Sequence, residues 1–272
     1  MMKALWSAAS GMISQQTNVD TISNNLANVN TTGFKNDKAE FKTLLYQTIQ
    51  SKTTSANGAT KPVGAQVGLG TRLAAITTDF GQGPAIASES ETAFAINGDG
   101  FFAVRGGDGN TYYTRNGDFK WSMGTAGVTL STSDGLPVLD SNGKAIVIPS
   151  NVATSKVTFT TSTGEVGYLG DDGNYVSLNQ TIGTWQFNNP AGLEKTSSSR
   201  YIVTDASGPA MNEASTRGLT KSTIMHKYLE ASNVQVADEM VNLIVAQRAY
   251  EMNSKAIQAA DDMMGQANSL KR

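Results

Sequence analysis

Apolar residues near the start of the chain recur at alternating steps of three and four, the heptad spacing of a helix that packs along one side. One polar residue, Gln15, interrupts the series. Between Leu5 and Val29 the only charged residue is Asp20, so the other faces carry small or uncharged side chains. This pattern predicts a coiled-coil-forming helix packed closely against neighbours, with Gly33 as a helix-ending or turn residue. The apolar positions are Leu5, Ala8, Met12, Val19, Ile22, Leu26 and Val29.

Residues 233–270 repeat the helical spacing, but with two apolar stripes instead of one. Two stripes indicate more than one packing partner, although an ordinary core helix of a single domain remains the alternative. Ser232 or Asn233 is the expected N-cap. The first stripe contains Val241, Val245, Ala249, Met252, Ala256, Ala259, Met263 and Leu270. The second contains Val236, Met240, Leu243, Tyr250, Ile257 and Met264.

Between the two helices the period changes to two, with Gly and Asn turn signals between the apolar runs. The predicted fold is therefore α+β and multidomain, with paired long terminal helices in a coiled-coil-like domain that brackets a mainly antiparallel β domain. A sandwich or an irregular barrel is favoured for the β domain. The predicted strands are 72–78, 92–97, 101–105, 111–115, 118–121, 145–148, 156–160, 165–169, 183–187 and 200–204.

Residues 50–71 are rich in Ser, Thr, Gly and Ala, a composition typical of a flexible linker or a disordered loop. A long loop of this kind can also be committed to a partner. We expect three parts: a helical terminal domain of 1–33 plus 232–272, a connecting region of 34–75 plus 215–231, and a β-rich domain of 76–214.

Composition excludes several classes of function. The chain has 272 residues and a formal net charge of −2, so it is not a generic basic nucleic-acid binder. It contains no Cys and one His, which rules out thiolate metal sites and leaves too little imidazole for most transition-metal sites. The Gly-rich strings have the wrong spacing for nucleotide binding, and His226 is interpreted as solvated. We predict no enzyme activity, no cofactor, and no catalytic or metal-binding residue.

The start of the chain contains some apolar residues, so a signal peptide has to be considered. Ser7, Ser10, Gly11 and Ser14 interrupt its apolar core, and we expect this region to be mature sequence without a cleaved signal. No apolar run approaches the roughly 18 residues that a membrane helix needs, so the chain is not expected to span a membrane. Charged residues make up 16% of the chain, a low fraction that favours contact with other protein.

Three stretches of the chain carry distinctive motifs: SNNLANVNTTGFK (23–35), residues 228–264, and INGDGFFAV with YYTRNGDF within 96–119. They resemble motifs of the bacterial flagellar rod and hook axial proteins. The first resembles their N-terminal signature, the second resembles their C-terminal signature, and the third resembles the start of their β domain. The motif residues are Asn24, Asn25, Leu26, Ala27, Asn28, Gly33, Phe34, Arg248, Ala249 and Tyr250.

The resemblance implies a structural subunit that assembles with itself into a helical tube and transmits torque. It further implies export through the flagellar type III apparatus, a place in the basal-body rod within the cell envelope and periplasm, and proximal rod, hook and ring proteins as partners. The self-assembly contacts would be Leu5, Met12, Val19, Ile22, Leu26 and Val29 of the first helix, with Val241, Val245, Ala249, Met252, Ala256 and Met263 of the second.

Chain length and residues 46–71 are most similar to the distal-rod members of the family. This segment would fill contacts between neighbouring subunits in a stiff rod. A proximal rod or hook-like paralogue is the first alternative, and a secreted β-domain binding module or hydrolase is the second. The rod-specific positions are Tyr46, Gly58, Pro62, Gly64, Gly68 and Gly70.

Overall fold

The computed structural model describes residues 2–50, 64–124, 127–150, 152–161, 163–170 and 174–270. The chain divides into two compact units. Unit 1 comprises Met1–Ala27, Asp37–Thr78 and Gln235–Arg272, and unit 2 comprises Asn28–Asn36 and Asp79–Val234. The three-part division expected from the sequence stays a prediction.

Unit 1 contains the two long helices, and both predicted helices are confirmed. Helix α1 spans Met2–Ala27 and helix α2 spans Val236–Ser269. None of the described helices is both long and apolar enough to cross a membrane. The coiled-coil character of the two helices stays a prediction.

Helix α1 ends before Val29, which therefore lies beyond the helix that was expected to carry it. The turn that follows is closed by local hydrogen bonds: the Thr31 amide donates to the Asn28 carbonyl, and the Thr31 hydroxyl donates to the Asn28 side chain. Asn and Thr side chains end helices in this way because they compete for backbone groups. Gly33 lies further along in the same loop, at φ +67°.

Four strands form antiparallel pairs in unit 1. β1 (Asp37–Thr43) pairs with β4 (Thr71–Thr78), and β2 (Tyr46–Gln50) pairs with β3 (Ala65–Gly68). Sequence analysis predicted β4 but not the other three, and it interpreted residues 50–71 as a linker, within which β3 lies. Gly58 and Pro62 lie outside the described residues.

Unit 2 is built mainly from antiparallel strands and two short 3-10 turns, Thr154–Lys156 and Pro190–Gly192. Each of the ten predicted strand ranges overlaps an observed strand: one is β4 of unit 1 and nine lie in unit 2. The strands of unit 2 are β5 Ala85–Ala87, β6 Phe94–Asn97, β7 Phe101–Arg105, β8 Thr111–Thr114, β9 Lys120–Gly124, β10 Gly127–Ser131, β11 Val147–Ile148, β12 Val157–Phe159, β13 Glu165–Leu169, β14 Tyr175–Thr181, β15 Thr184–Gln186, β16 Glu194–Thr196, β17 Arg200–Ile202, β18 Met211–Asn212, β19 Thr223–His226 and β20 Tyr228–Glu230.

The largest sheet has six strands in the order β16-β17-β8-β7-β15-β18. Two three-stranded sheets, β11-β10-β9 and β12-β13-β14, and two pairs, β19-β6 and β20-β5, complete the described part of unit 2. Strand β7 is covered on both faces. Phe102 and Val104 belong to one apolar cluster, whereas Phe101 and Ala103 belong to another, as expected for side chains that alternate across a sheet.

Candidate functional site

The first apolar stripe of α2 lies mainly on the exposed side of the helix. Val241, Val245, Met252 and Met263 are each more than half exposed, and Ala256 is exposed as well, while Ala249 is half-buried. We call Val241, Val245, Met252 and Met263 the outer stripe. Large exposed apolar patches on soluble proteins usually mark contact surfaces.

The predicted seam of α1 lies on a more protected side. Ile22 is buried, and Leu5, Met12, Val19 and Leu26 are half-buried. Val19 and Tyr250 line the same groove of about 380 Å³, which brings one residue of the seam together with one residue of the C-terminal motif. Trp6 and Ile13 of α1, which do not belong to the predicted seam, are exposed. This helix therefore also has an exposed apolar face that the heptad pattern did not predict.

Asn25 explains why an amide occurs in the N-terminal motif. Its side chain is buried, donates to the Asp37 carbonyl (2.8 Å) and accepts from the Asp37 amide (2.9 Å). The amide thereby satisfies both backbone groups of Asp37, as a neighbouring strand would. Asn24 and Ala27 are exposed, in contrast. Asn25 fixes the start of β1 against α1.

The Gly33–Phe34 part of the motif lies in unit 2. A Cβ on Gly33 would approach the Asn116 backbone nitrogen to 2.5 Å, so both the close packing and the positive φ require glycine. The Gly33 amide donates to the Glu230 carbonyl at 2.8 Å. Phe34 is buried, with the Lys195 ammonium 5.1 Å from its ring centre. This motif therefore anchors residues 28–36 inside unit 2.

Next to Phe34, unit 2 contains a buried charge cluster that sequence analysis missed. We call Lys35, Arg115 and Glu230 the buried charge cluster; their side chains are 0%, 2% and 1% exposed. The Lys35 ammonium donates to Glu230 Oε1 at 2.6 Å and to the Gly81 carbonyl at 2.8 Å. Arg115 Nη1 lies 3.5 Å from Glu230 Oε2, and the Gly83 amide donates to Oε1 at 2.9 Å.

Burial governs the electrostatics of this cluster. It lowers the pKa of Lys35 below its usual value, and the attraction of the Glu230 carboxylate opposes that shift. Burial likewise lowers the pKa of Arg115, again opposed chiefly by Glu230. Asp79 also attracts Lys35 and Asp99 also attracts Arg115, but Glu230 is the largest attraction for both cations. Glu230 is therefore the member whose loss costs most.

Asn233 has a different role from the predicted N-cap. Helix α2 begins after Gln235, and no side chain caps it. The Asn233 side chain instead accepts from the Asn36 amide at 2.8 Å and donates to the carbonyls of Asp79 (2.9 Å) and Gly81 (3.1 Å). Asn233 thus holds together two distant segments of unit 2.

The remaining residue of the C-terminal motif and the described residues of segment 46–71 lie in unit 1. Arg248 is exposed and pairs with Glu251 at 3.0 Å. The Tyr46 ring packs beside Gly68, where a Cβ would lie 3.4 Å from Cε1. A Cβ on Gly70, at φ +109°, would lie 2.0 Å from the Ser10 hydroxyl oxygen. This glycine therefore allows the segment between β3 and β4 to approach α1. Gly64 is half-buried.

Three family models match the chain. "Flagella basal body rod protein" matches residues 5–35, "Flagellar hook protein FlgE/F/G D1 domain" matches 95–168, and "Flagellar basal body rod FlgEFG protein C-terminal" matches 225–270. The flagellar basal-body rod protein FlgG of Borreliella burgdorferi is 45% identical over 278 residues, covering all of both chains. The chain belongs to the flagellar basal-body rod protein family.

A rod protein FlgG of Agrobacterium fabrum is 40% identical over 96% of this chain and 97% of its own. The hook-basal body complex protein FlhP of Bacillus subtilis is 29% identical over the full length of both. The rod-protein family is structural and not a family of enzymes, and it places the chain in the flagellar basal body. The two terminal family matches contain Lys35 and Glu230, respectively, so the buried charge cluster joins both signatures.

His226, interpreted from sequence as solvated, is instead packed in the core of unit 2. Its side chain is 13% exposed, its ring stacks on Phe94 with centres 5.4 Å apart, and Nε2 lies 2.7 Å from the Glu91 carbonyl. The structure assigns the ring a packing role. Among the described residues, no group of three or more His, Asp or Glu side chains could hold a metal ion.

Replacing His226 with Ala should lower the unfolding free energy of unit 2 by about 1–3 kcal/mol, because a stacked ring and a hydrogen bond are lost. His226→Phe retains the stacking and should lose about 1 kcal/mol. Urea unfolding followed by tryptophan fluorescence measures both changes in a Trp6→Phe background, which leaves only the tryptophans of unit 2. An unchanged midpoint for His226→Ala would contradict the packing role.

Proposed function

We propose that this rod protein is a subunit of the distal rod, which polymerises into a rigid helical tube and transmits torque from the motor to the hook. Full-length similarity to proteins named flagellar basal-body rod protein FlgG supports this assignment. The exposed outer stripe is the structural observation that supports polymerisation. Val241 is 60% exposed, Val245 62% and Met252 65%, so a long helix presents aliphatic surface that no described residue of its own chain covers.

Further copies of the chain are the proposed partners of the outer stripe. Proximal rod proteins, the hook protein and surrounding ring proteins are proposed at the ends and outside of the polymer. Type III export is proposed to deliver the chain to the periplasm. The seam residues of α1 and the outer stripe are the proposed self-assembly contacts. The helical, connecting and β-rich parts predicted from sequence remain the proposed domain division.

The ribbon formed by β2 and β3 is the proposed stiffening element. Leu45, Tyr46 and Ile49 are all well exposed on it, so it offers apolar surface to a neighbouring subunit. Its described base is already ordered beside α1, since the Thr71 amide donates to the Ser10 hydroxyl at 3.3 Å. The described strands of this ribbon are therefore already attached to α1 in the single chain.

Met252→Asp should abolish rod assembly while leaving the isolated chain folded. An exposed carboxylate is solvated in the single chain, so its unfolding free energy should change by about 0.5 kcal/mol or less. In the polymer the same charge would be buried without a partner, at a cost of several kcal/mol. The measurements are circular dichroism of the purified chain and motility of a strain that lacks its own copy. Gln258→Asp, also exposed on α2, is the matched control.

Normal motility with Met252→Asp would remove the outer stripe from the proposed interface. A proximal rod or hook-like paralogue is the second candidate, favoured by the full-length similarity to FlhP. Electron microscopy of basal bodies from a deletion strain separates the two, because loss of the distal part of the rod alone is expected for the first candidate.

A further inference from the structure

The protected side of α2 follows a seven-residue repeat that is not purely apolar. Three described residues of this helix are buried: Glu239, Ala246 and Ala260. Asn253, which is half-buried, continues the same repeat between the two alanines. One side of α2 therefore carries Glu, Ala, Asn and Ala at successive steps of seven, unlike the aliphatic outer stripe.

Asn253 lies against a glycine of α1. A Cβ on Gly11 would approach Asn253 Nδ2 to 2.8 Å and Cγ to 3.2 Å, so the amide occupies the space that any side chain would fill. Glycine inside a helix costs about 1 kcal/mol relative to alanine, and a close approach of this kind is the usual reason for it. Gly11 and Asn253 form one contact between the helices, a close approach of an amide to a glycine.

Glu239 and Asn25 form the second contact, and this one is a hydrogen bond. Burial raises the pKa of Glu239, and a hydrogen bond from the Asn25 side chain opposes the shift. Gly11 and Asn25 are fourteen residues apart on α1, and Glu239 and Asn253 are fourteen apart on α2. Because the earlier residue of α1 meets the later residue of α2, the helices run antiparallel, and the two contacts lie two heptads apart on both.

Apolar stripes alone do not define which face of α2 meets α1, since aliphatic contacts are non-directional. Polar residues at single seam positions are known to select register and partner, because a mismatch leaves them buried without a hydrogen bond. Turning α2 so that its outer stripe met α1 would remove the Asn25 bond from Glu239 and place a side chain other than Asn253 against Gly11.

We propose that the Gly11–Asn253 and Asn25–Glu239 contacts select the face and the register with which α2 packs on α1, and thereby leave the outer stripe open. These four are positioning residues. The selection acts within a single chain and holds whether or not the outer stripe is the contact between copies.

Cysteine labelling tests the selection, because the natural chain contains no Cys. Val245→Cys reports the outer stripe and Ala246→Cys the protected side; the native side chains are 62% and 1% exposed. In the parent chain the cysteine at 245 should react with a maleimide at least about tenfold faster than the cysteine at 246. With Asn253→Leu and Glu239→Leu added, this ratio should fall to roughly threefold or less, because both faces of α2 can then meet α1.

Gln258→Leu with Asp262→Leu is the matched control, since both residues are exposed on α2 and the change in composition is equivalent. It should retain the tenfold ratio. Gly11→Ala provides a milder test from the other helix: alanine favours helix formation but displaces the Asn253 amide, so the ratio should fall without loss of helix content. Circular dichroism monitors that content.

Equal labelling of both cysteines in the parent chain would overturn the proposal, as would an undiminished ratio in both Gly11→Ala and the double leucine variant. A fall that also occurs in the control would overturn it too, since any added leucine would then suffice. None of these measurements requires polymerisation, so their failure is distinguishable from normal motility with Met252→Asp.

Discussion

Glu230→Gln should destabilise unit 2 by about 3–5 kcal/mol, because removing one partner of a buried ion pair leaves an uncompensated charge. Here two buried cations, Lys35 and Arg115, would lose their shared carboxylate. Urea unfolding followed by tryptophan fluorescence gives the free energy of unit 2 in a Trp6→Phe background, where the remaining tryptophans belong to unit 2. A loss of that size is a large share of the 5–15 kcal/mol typical of a folded protein.

The exposed pair Arg248–Glu251 provides the control for this prediction. Its carboxylate is 53% exposed, so Glu251→Gln should change the unfolding free energy by about 0.5 kcal/mol or less. If Glu230→Gln were as mild as this control, the buried charge cluster would have no part in holding unit 2 together.

Ile22→Asp should abolish assembly of the rod through its effect on unit 1. Ile22 is 5% exposed on the protected side of α1, and a carboxylate there would be buried without a partner, at a cost of several kcal/mol. We expect loss of helical circular dichroism and loss of motility, while the unfolding midpoint of unit 2 is unchanged.

Ser23→Asp places the same charge on the neighbouring residue, which is exposed. Motility and helix content should both survive this change. Motile cells carrying Ile22→Asp, with helix content intact, would show that the predicted seam of α1 does not contribute to assembly.

Most of unit 2 could be predicted because turn signals separate its short apolar runs, as in FFAVR and TYYTR. Strands β1, β2 and β3 of unit 1 could not be predicted. Strands β1 and β2 consist largely of Lys, Glu, Gln and Thr with isolated apolar residues, so their strand conformation comes from pairing with β4 and β3. Strand propensity depends on such neighbours more than on the segment itself.

The outer stripe was visible in the sequence because it follows helical spacing, whereas the anchoring contacts were not. Lysine is normally a surface residue, so the sequence gives no sign that Lys35 is buried. Its partner Glu230 lies 195 residues further along the chain. Asn233 stands where an N-cap is expected, yet it binds backbone groups of Asn36, Asp79 and Gly81. Local patterns carry no information about partners this distant.

The distance in sequence between Lys35 and Glu230 also makes the folding of unit 2 sensitive to the completeness of the chain. A polypeptide that emerges from its N-terminus exposes Lys35 and Arg115 long before the carboxylate that compensates them, and contacts of such high sequence separation form late. A copy truncated before residue 230 would have to bury both cations without the carboxylate that binds them. Stable folding of unit 2 is therefore expected only in chains that extend past residue 230.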